Sequence, residues 1–234
     1  MNAMGVPYLR SEQIKAGRDA LVERMRKPSW IVRRETDEGL LSSLIRDRIG
    51  ASARIMEIGS SNGRVLKSLQ DRGFQNLIGV DIDDYLEFSE LKPLLRTADL
   101  NHERFPADDG SIDALLALEI FEHLENPWHF ARECARVLRP GGLLILSTPW
   151  GHTVWDKLRF LRRGSLINFH PANNHITFLT KDVFNKAFGR DFVIKQMIFD
   201  RGWIPFLRPR RWNRFLPAHP LWSLKVCYVM ERKG

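Results

Sequence analysis

The stretch that decides the fold is residues 54–69, which read RIMEIGSSNGRVLKSL. Ile55, Met56 and Ile58 form a short apolar run typical of a buried strand, and apolar residues recur at helical spacing after Gly63. The intervening turn is therefore a strand-to-helix junction. Its glycines let the backbone approach a ligand closely, and the unpaired N–H groups at the start of a helix favour a small polar ligand.

The same alternation continues through the middle of the chain. Apolar runs at 77–80, 112–118 and 143–146 alternate with segments of helical period. This pattern predicts a mainly parallel sheet with helices on both faces. One helical segment begins at Pro127 and ends before the turn at 140–142. Its apolar stripe is interpreted as core and consists of Trp128, Ala131, Ala135 and Leu138.

Further elements are predicted on either side of this centre. Residues 11–27 indicate a basic helix, and an apolar pattern indicates a second helix over 40–49. Thr180 can N-cap a later helix, which two β-like runs follow at 192–199 and 222–230. Residues 201–220 are too rich in proline for regular structure. We therefore predict N-terminal helices that cap the sheet and the site (1–50), a ligand-binding core (51–150), a substrate-side insertion and helix (151–190), and closing strands with a basic, aromatic loop (191–234).

Composition narrows the classes of partner. A chain of 234 residues with 44% hydrophobic content can bury a sizeable core, and its net charge of +8 favours anionic partners. Cys134 and Cys227 lie far apart without metal-ligand spacing, so we expect reduced, buried thiols and a cytoplasmic protein. We see no signal sequence and no apolar run of about 18 residues, so secretion and membrane insertion are not expected.

An acidic residue closes the second predicted strand. In LIGVDID (77–83), Asp81 follows Gly59 by 22 positions, close to the roughly 20-residue offset at which a carboxylate meets a ribose. A dinucleotide fingerprint would have glycine where this chain has Ser61 and Arg64. Glu57 would repel phosphates but suits a ligand that carries an ammonium group and a sulfonium. The motif therefore favours S-adenosylmethionine over a dinucleotide.

These motifs together resemble the class I S-adenosylmethionine-dependent methyltransferase family, close to its small-molecule branch. The resemblance spans about residues 54–190. Besides MEIGSSNG and GVDID, the matching blocks are TADLNHERFPADDGSIDALLALEIFEHLENP, ECARVLRPGGLLILSTP and HITFLTKDVFNKAF. The resemblance implies an α/β, Rossmann-like, doubly wound fold with a mainly parallel seven-stranded sheet, an antiparallel last strand and helices on both faces.

The resemblance also implies which residues contact the cofactor, S-adenosylmethionine. They are Gly59, Ser61 and Gly63 in the turn, Glu57 at the methionine end, Asp81 at the ribose hydroxyls, Ile82, Asp99 and Leu100 at the adenine, and Glu119 at the junction of cofactor and substrate.

Two histidines are the candidates for catalysis. An in-line methyl transfer needs alignment of the reacting atoms and exclusion of water, and an oxygen or nitrogen nucleophile also has to lose a proton. His123 and His175 match positions often held by histidine in the resembling proteins. For His123, orienting Glu119 is favoured over base chemistry, whereas for His175 substrate contact and structural hydrogen bonding are weighted equally. No metal site is predicted, since no histidine, cysteine and carboxylate grouping stands out in the sequence.

The insertion after the fifth predicted strand and the segment 203–222 should select the acceptor of the methyl group. An apolar stripe at helical spacing comprises Val154, Trp155, Leu158 and Leu161, and residues 203–222 mix aromatic residues with arginines. The plain interpretation is a lid that packs on the core. The alternative is contact with an amphipathic or anionic acceptor, with peripheral membrane contact through 203–222.

We predict a methyltransferase that acts on a small-molecule acceptor, at an oxygen of a quinone precursor, sugar or lipid-linked intermediate. The positive charge leaves a nucleic-acid methyltransferase as a less favoured alternative, and Ser61 in the turn leaves a non-catalytic cofactor-binding module. A nicotinamide-dependent oxidoreductase is disfavoured because Tyr85 is followed four places on by Ser89 rather than lysine. The oligomeric state is not predicted.

Overall fold

The computed structural model describes residues 28–170, 174–204 and 210–234. Its centre is a seven-stranded sheet with the strand order β3-β2-β1-β4-β5-β7-β6. The strands are β1 (Ile55–Ile58), β2 (Leu77–Asp81), β3 (Leu95–Thr97), β4 (Ile112–Leu118), β5 (Leu138–Pro149), β6 (Phe192–Phe199) and β7 (Lys225–Arg232). β7 runs antiparallel to both of its neighbours, β5 and β6, and all other strand pairs are parallel. The predicted fold class is confirmed.

Six α-helices and three short 3-10 helices surround the sheet in the described part of the chain. The α-helices are α1 (Trp30–Glu38), α2 (Leu40–Arg48), α3 (Arg64–Asp71), α4 (Pro127–Val137), α5 (Val154–Arg163) and α6 (Lys181–Phe188). The 3-10 helices are Ser89–Leu94, Phe121–His123 and Arg210–Phe215. Within the same described ranges, no helix combines the length and the apolar character needed to cross a bilayer.

Both faces of the sheet are covered by apolar residues. Met56 and Leu115 belong to one buried cluster, and their sequence neighbours Ile55 and Leu116 belong to a second. Side chains alternate between the faces of a strand, so central strands that are apolar throughout need cover on both sides. The helices provide that cover, which is why these strands read as continuous apolar runs.

The stripe predicted on the Pro127 helix was partly wrong. Trp128 is 42% exposed, and α4 ends at Val137, so Leu138 is the first residue of β5. The turn at 140–142 does not separate a helix from a strand, because β5 continues through it to Pro149. The side chains that α4 buries include Phe130, which the stripe omitted.

The N-terminal helices differ from the prediction. The helix predicted over 11–27 lies outside the described residues, whereas α1 was not predicted. Ser29 caps α1 by accepting a hydrogen bond from the Val32 amide, and Gly39 ends it with a φ of +67°. A serine and a glycine at this separation were the signal that sequence reasoning overlooked.

The buried side chain of Glu35 fastens α1 to its surroundings. Its Oε2 accepts hydrogen bonds from the amides of Leu41 (2.7 Å) and Ser42 (3.0 Å) at the start of α2. Its Oε1 accepts from the Ser68 hydroxyl of α3 at 3.1 Å and lies 3.5 Å from Arg72 Nε. One carboxylate therefore joins three helices.

The C-terminal part matches the prediction in most respects. Thr180 caps α6, accepting from the Val183 amide, and β6 coincides with the predicted run 192–199. The pairing of β6 with β7 has a register shift between Ile194 and Gln196. Residues 210–215 form a 3-10 helix where no regular structure was predicted, and Phe206 and Arg208 of the predicted basic, aromatic loop lie outside the described residues. Both cysteines are buried free thiols, as predicted.

Candidate active site

Four acidic residues lie at the carboxyl ends of four neighbouring strands. Glu57 is the penultimate residue of β1 and Asp81 the last of β2, while Asp99 and Glu119 follow β3 and β4. Because these strands are adjacent in the order β3-β2-β1-β4, the carboxylates share one edge of the sheet. The strand order reverses between β1 and β4, and in such sheets ligands bind in the crevice at that point.

The turn between β1 and α3 requires its glycines. Gly59 and Gly63 have φ angles of +73° and +79°, which side chains disfavour. A Cβ on Gly59 would lie 3.0 Å from the Ile120 side chain, and one on Gly63 would lie 2.7 Å from that of Leu86. Ser61 also has a positive φ, of 49°. The turn thus holds the backbone in a conformation that leaves no room for side chains at either glycine.

Asp81 holds this turn in place through hydrogen bonds from backbone amides. It is 4% exposed, and its Oδ2 and Oδ1 accept hydrogen bonds from the amides of Ser61 and Ile82, each at 2.8 Å. These two bonds orient the Asp81 carboxylate at the carboxyl end of β2.

Glu57 is a buried carboxylate with one oxygen that has no hydrogen-bond partner among the described residues. It is 4% exposed, and the oxygen concerned is Oε2. Burial, reinforced by the negative charge of Asp81, raises the pKa of Glu57 well above its usual range. A cationic ligand group beside it would offset the cost of the buried charge. The ammonium group of S-adenosylmethionine fits this requirement.

A cleft connects these elements with the start of α1. Its wall includes Pro28, Ser29, Val32, Glu57, Gly59, Ser61 and Glu119. Among the predicted cofactor contacts, the residues that do not line it are Gly63, Asp81, Ile82, Asp99 and Leu100. Asp99 instead accepts a hydrogen bond from the Asn101 amide at 3.0 Å. Ile82 is half-buried next to Asp81.

Glu119, the first residue after β4, also lines the cleft. Its backbone has a φ of +56°, which is costly for a residue with a side chain. Its Oε1 accepts from the Ser147 hydroxyl at 3.0 Å, and its Oε2 is paired with the Lys225 ammonium. Sequence reasoning missed Lys225, which comes from the last strand and carries no local motif.

The two candidate histidines are neighbours in space. The amides of Ile176 and Thr177 donate to the Glu122 carbonyl at 2.8 and 3.0 Å, so the segment before α6 docks on the residues after β4. This docking brings the rings of His123 and His175 to a centroid distance of 5.0 Å. Burial lowers the pKa of His175.

Glu122 completes this group and was not singled out from the sequence. It is 1% exposed, and its Oε2 has no hydrogen-bond partner in the described ranges. Burial, with the nearby charge of Glu119, raises its pKa well above the usual range. The potential ligand atoms of Glu122, His123 and His175 all lie within 4.8 Å of one another. The sequence-based expectation of no such grouping missed this cluster because its members are 53 positions apart along the chain (122 to 175).

Comparison with known proteins bears on the family of this domain. A family model described as a methyltransferase domain matches residues 56–146. The ubiquinone biosynthesis O-methyltransferase of Xanthomonas oryzae pv. oryzae is 30% identical over 105 residues, which are 42% of this chain and 44% of that protein. The chain therefore spans less than half the length of this curated relative.

Solved structures share the fold over nearly the whole chain. A putative sarcosine dimethylglycine methyltransferase from Galdieria sulphuraria is 14% identical with a TM-score of 0.59, and covers 94% of this chain and 98% of its own. The [4+2]-cyclase SpnF is 12% identical with a TM-score of 0.63, and covers 98% of this chain and 99% of its own. Residues 56–146 therefore match a methyltransferase domain, and the chain is similar to S-adenosylmethionine-dependent methyltransferases, whose cofactor is S-adenosylmethionine.

Proposed function

We propose that this protein transfers a methyl group from S-adenosylmethionine to an oxygen of a small-molecule acceptor. The observation that carries the proposal is the row of four carboxylates along adjacent strand ends, in which one oxygen of buried Glu57 has no hydrogen-bond partner among the described residues. Fold alone would not suffice, because one neighbour of the same fold is described as a cyclase.

The proposed cofactor contacts follow the sequence-based assignment. Glu57 would pair with the ammonium group, and Asp81 would accept hydrogen bonds from the ribose hydroxyls. The backbone of the turn at Gly59, Ser61 and Gly63 would approach the cofactor closely. Ile82, Asp99 and Leu100 would surround the adenine, and Asp99 and Leu100 would then have to become accessible from the cleft side.

The bound cofactor supplies an electrophilic methyl group on a sulfonium. Methyl transfer to a hydroxyl oxygen would release its proton, which His123 or His175 would accept. The contribution of the chain is alignment and exclusion of water. Glu119 lies between the cleft and the His123–His175 pair, so these groups mark the acceptor end. Both histidines remain the catalytic candidates.

The acceptor end contains aromatic side chains. The Phe169 ring lies 5.6 Å from the ring of His175 and 5.3 Å from that of Phe178, centroid to centroid. Such surroundings favour a flat, apolar acceptor. This supports a quinone precursor over a sugar, in line with the name of the Xanthomonas relative.

The outer surface of helix α5 supports the proposal that the protein meets its acceptor at a membrane surface. Its polar side faces inward, because buried Asp156 bonds to the Thr153 hydroxyl at 2.6 Å and to the Ile167 amide at 2.8 Å. Its apolar side faces outward, with Leu158 and Leu161 exposed by 53% and 84%.

Cations border this outward stripe. Lys157 and Arg162 of the same helix are exposed. The Val154 amide donates to the Leu221 carbonyl at 2.9 Å, so the stripe continues toward residues 210–222, where Trp212 and Phe215 are 51% and 71% exposed. Apolar side chains flanked by cations suit an anionic lipid surface. We therefore include α5 with 203–222 in the proposed peripheral contact.

Calorimetric titration with S-adenosylmethionine, and in parallel with NADH, tests the cofactor. We expect binding of the former alone, and absence of that binding would contradict the proposal. Transfer of a radiolabelled methyl group to panels of dihydroxylated aromatic, sugar and lipid-linked acceptors then tests the reaction. Cofactor binding without transfer to any acceptor would favour the non-catalytic module, and transfer to RNA would favour the nucleic-acid alternative.

Vesicle sedimentation tests the membrane contact separately. We expect binding to phosphatidylserine vesicles that weakens with salt and is lost in a Leu158→Gln/Leu161→Gln double variant. Ile194→Gln is the matched control, because Ile194 is a 46% exposed apolar residue on β6. Equal binding of the double variant and the control would contradict the assignment of α5.

A further inference from the structure

Lys225, the first residue of β7, brings a positive charge to the acceptor end of the site. Its ammonium is paired with Oε2 of Glu119, which lines the cofactor cleft. The Lys225 charge also interacts electrostatically with Glu122 and with His175. The Lys225 side chain is 31% exposed, so a ligand can reach it.

Hydrogen bonds tie the start of β7 to His175. Asp200 Oδ1 accepts hydrogen bonds from the amides of Leu224 (3.0 Å) and Lys225 (3.1 Å). The Asn168 side-chain amide donates to the Leu224 carbonyl at 3.2 Å, and His175 Nδ1 lies 2.7 Å from the Asn168 carbonyl oxygen. Because a carbonyl oxygen only accepts, neutral His175 carries its hydrogen on Nδ1 and its lone pair on Nε2. Asn168 therefore connects a cation-bearing strand end with a candidate base.

The Lys225 ammonium has donor capacity left for a ligand. An ammonium carries three N–H donors, and the pairing with Glu119 uses one of them. Within the ranges that the structure describes, the group forms no other hydrogen bond and no other ion pair. A compact positive charge with unused donors suits an anionic oxygen, which accepts short, charge-assisted hydrogen bonds.

The backbone of Glu119 separates this ion pair from an ordinary one. Its φ of +56° is costly for a residue with a side chain, and such conformations cluster at functional sites. The Ser147 hydroxyl donates to the other carboxylate oxygen at 3.0 Å, so both Glu119 oxygens are held. Lys195 and Glu231 form a comparable pair at 3.2 Å between β6 and β7, and neither has a positive φ.

We propose that Lys225 binds the acceptor oxygen in its ionised form, so that the acceptor is a phenol rather than an alcohol. The contact rests on the proposed function and narrows its acceptor class. The hydroxyl proton would pass to His123 or His175, and the negative charge would stay on the oxygen beside the ammonium. This oxygen would lie nearer to Lys225 than to Glu119, and since Coulomb energy falls with distance, attraction exceeds repulsion.

The acidity of phenols explains the choice of acceptor class. A phenol ionises at about pH 10 in water, and a neighbouring opposite charge lowers the pKa of an acid by roughly 1–3. This brings a phenol close to neutral pH. The alcoholic hydroxyl of a sugar is a much weaker acid, so one ammonium would leave it protonated.

The ionisation of a bound phenol tests the contact without methyl transfer. The probe is 4-nitrocatechol, whose ionised form absorbs at longer wavelength than its neutral form. It is added to the purified chain with and without S-adenosylhomocysteine, at a pH below the solution pKa of the probe. We expect the ratio of ionised to neutral probe to be at least roughly tenfold higher on the wild type than in solution. Lys225→Gln should return it to the solution value, whereas Lys225→Arg, which keeps the charge, should preserve the increase.

Lys195→Gln is the matched control, because it removes a lysine from an ion pair on β6, and it should ionise the probe as the wild type does. Circular dichroism checks that each variant is folded. If Lys225→Gln unfolds because Glu119 is left unpaired, the Lys225→Gln/Glu119→Gln double variant replaces it, with the same expected loss of probe ionisation.

Three results would overturn the proposal: no binding of the probe to the wild type, a ratio no higher than in solution, or equal ratios in the wild type and Lys225→Gln. A merely structural role of Lys225 would lower the affinity for the probe without changing the ratio in the bound fraction. Absence of methyl transfer to every acceptor in the separate assay would count against the proposed function and leave the phenolate contact standing. Transfer to a sugar alone would support methyl transfer and contradict the phenolate contact.

Discussion

The cofactor half of the site consists of Glu57, the β1–α3 turn, Asp81 and Asp99, and the acceptor half consists of residues 119–124, α5 and 174–188. Both halves bury carboxylates, but the acceptor half also exposes large apolar side chains. In the cofactor half, the carboxylates of Glu57, Asp81 and Asp99 are only 4–6% exposed. In the acceptor half, Leu158 and Leu161 are 53% and 84% exposed. Burying charge and exposing apolar surface both cost free energy in an isolated chain. Each half therefore has a feature that an appropriate ligand or surface would compensate.

The difference also concerns how each half is assembled. In the cofactor half, hydrogen bonds connect the β1–α3 turn with the neighbouring strand end, such as the bond from the Ser61 amide to Asp81 at the end of β2. The acceptor half depends on contacts between distant segments, such as the Thr177 hydroxyl bonding the Leu124 carbonyl. In the cofactor half, substitutions of buried polar groups should have the largest effects on stability and ligand affinity. In the acceptor half, the effects should come mainly from helix caps and exposed side chains.

The largest effect is expected at Glu35, which holds α1 against the cofactor cleft. Glu35→Ala leaves the amides of Leu41 and Ser42 without their acceptor, so we expect the free energy of unfolding to fall by about 3 kcal/mol. Denaturant unfolding measures this. Glu35→Gln keeps one acceptor oxygen and should lose less. Equal losses in both variants would show that charge, rather than hydrogen bonding, is responsible.

The next effect concerns ligand affinity. Asp81→Ala should weaken S-adenosylmethionine binding by roughly 1.5–3 kcal/mol, because charge-assisted bonds to the ribose and support for the turn are lost together. Calorimetry gives the affinity. Asp108→Ala is the control, since Asp108 is exposed and precedes β4 at the opposite edge of the sheet. Unchanged affinity in Asp81→Ala would contradict the proposed ribose position.

A smaller effect is expected in the acceptor half at Thr180. Its hydroxyl oxygen caps α6, so Thr180→Ala should lower stability by about 1 kcal/mol. Thermal unfolding measures this, and Thr180→Ser should retain most of the stability. A loss of stability as large as that of Glu35→Ala would contradict the expected difference between the cofactor half and the acceptor half.

The smallest effect is expected at Leu161. Because its side chain is 84% exposed, Leu161→Gln should change the free energy of unfolding by no more than about 0.5 kcal/mol. The same thermal unfolding experiment applies, with Thr180→Ala as the positive reference. A loss above that of Thr180→Ala would mean that Leu161 packs within the protein and does not await an external surface.

The parts that sequence predicts are those fixed by local pattern. β4 and β6 match apolar runs residue for residue, and Thr180 was identified as a cap from its position before an amphipathic helix. Carboxylates after successive parallel strands could be placed on one edge for the same reason. The cofactor half was therefore largely predictable.

The parts that sequence missed depend on distant contacts. Helical spacing marked the α5 stripe but does not say which side faces the core, and buried Asp156 turns the stripe outward. The meeting of His123 with His175 depends on backbone pairing between segments about 50 residues apart, and Lys225 reaches Glu119 from another strand. No local pattern encodes such contacts.

The register shift near Lys195 has a consequence for association between copies of the chain. β6 is the edge strand and exposes Val193, Ile194 and Met197 by 36–46%, which would make a regular edge a template for another strand. The shift between Ile194 and Gln196 interrupts the row of backbone donors and acceptors, and Lys195 places a charge within it. This irregularity therefore acts against edge-to-edge aggregation, and Lys195→Val should increase light scattering at high protein concentration.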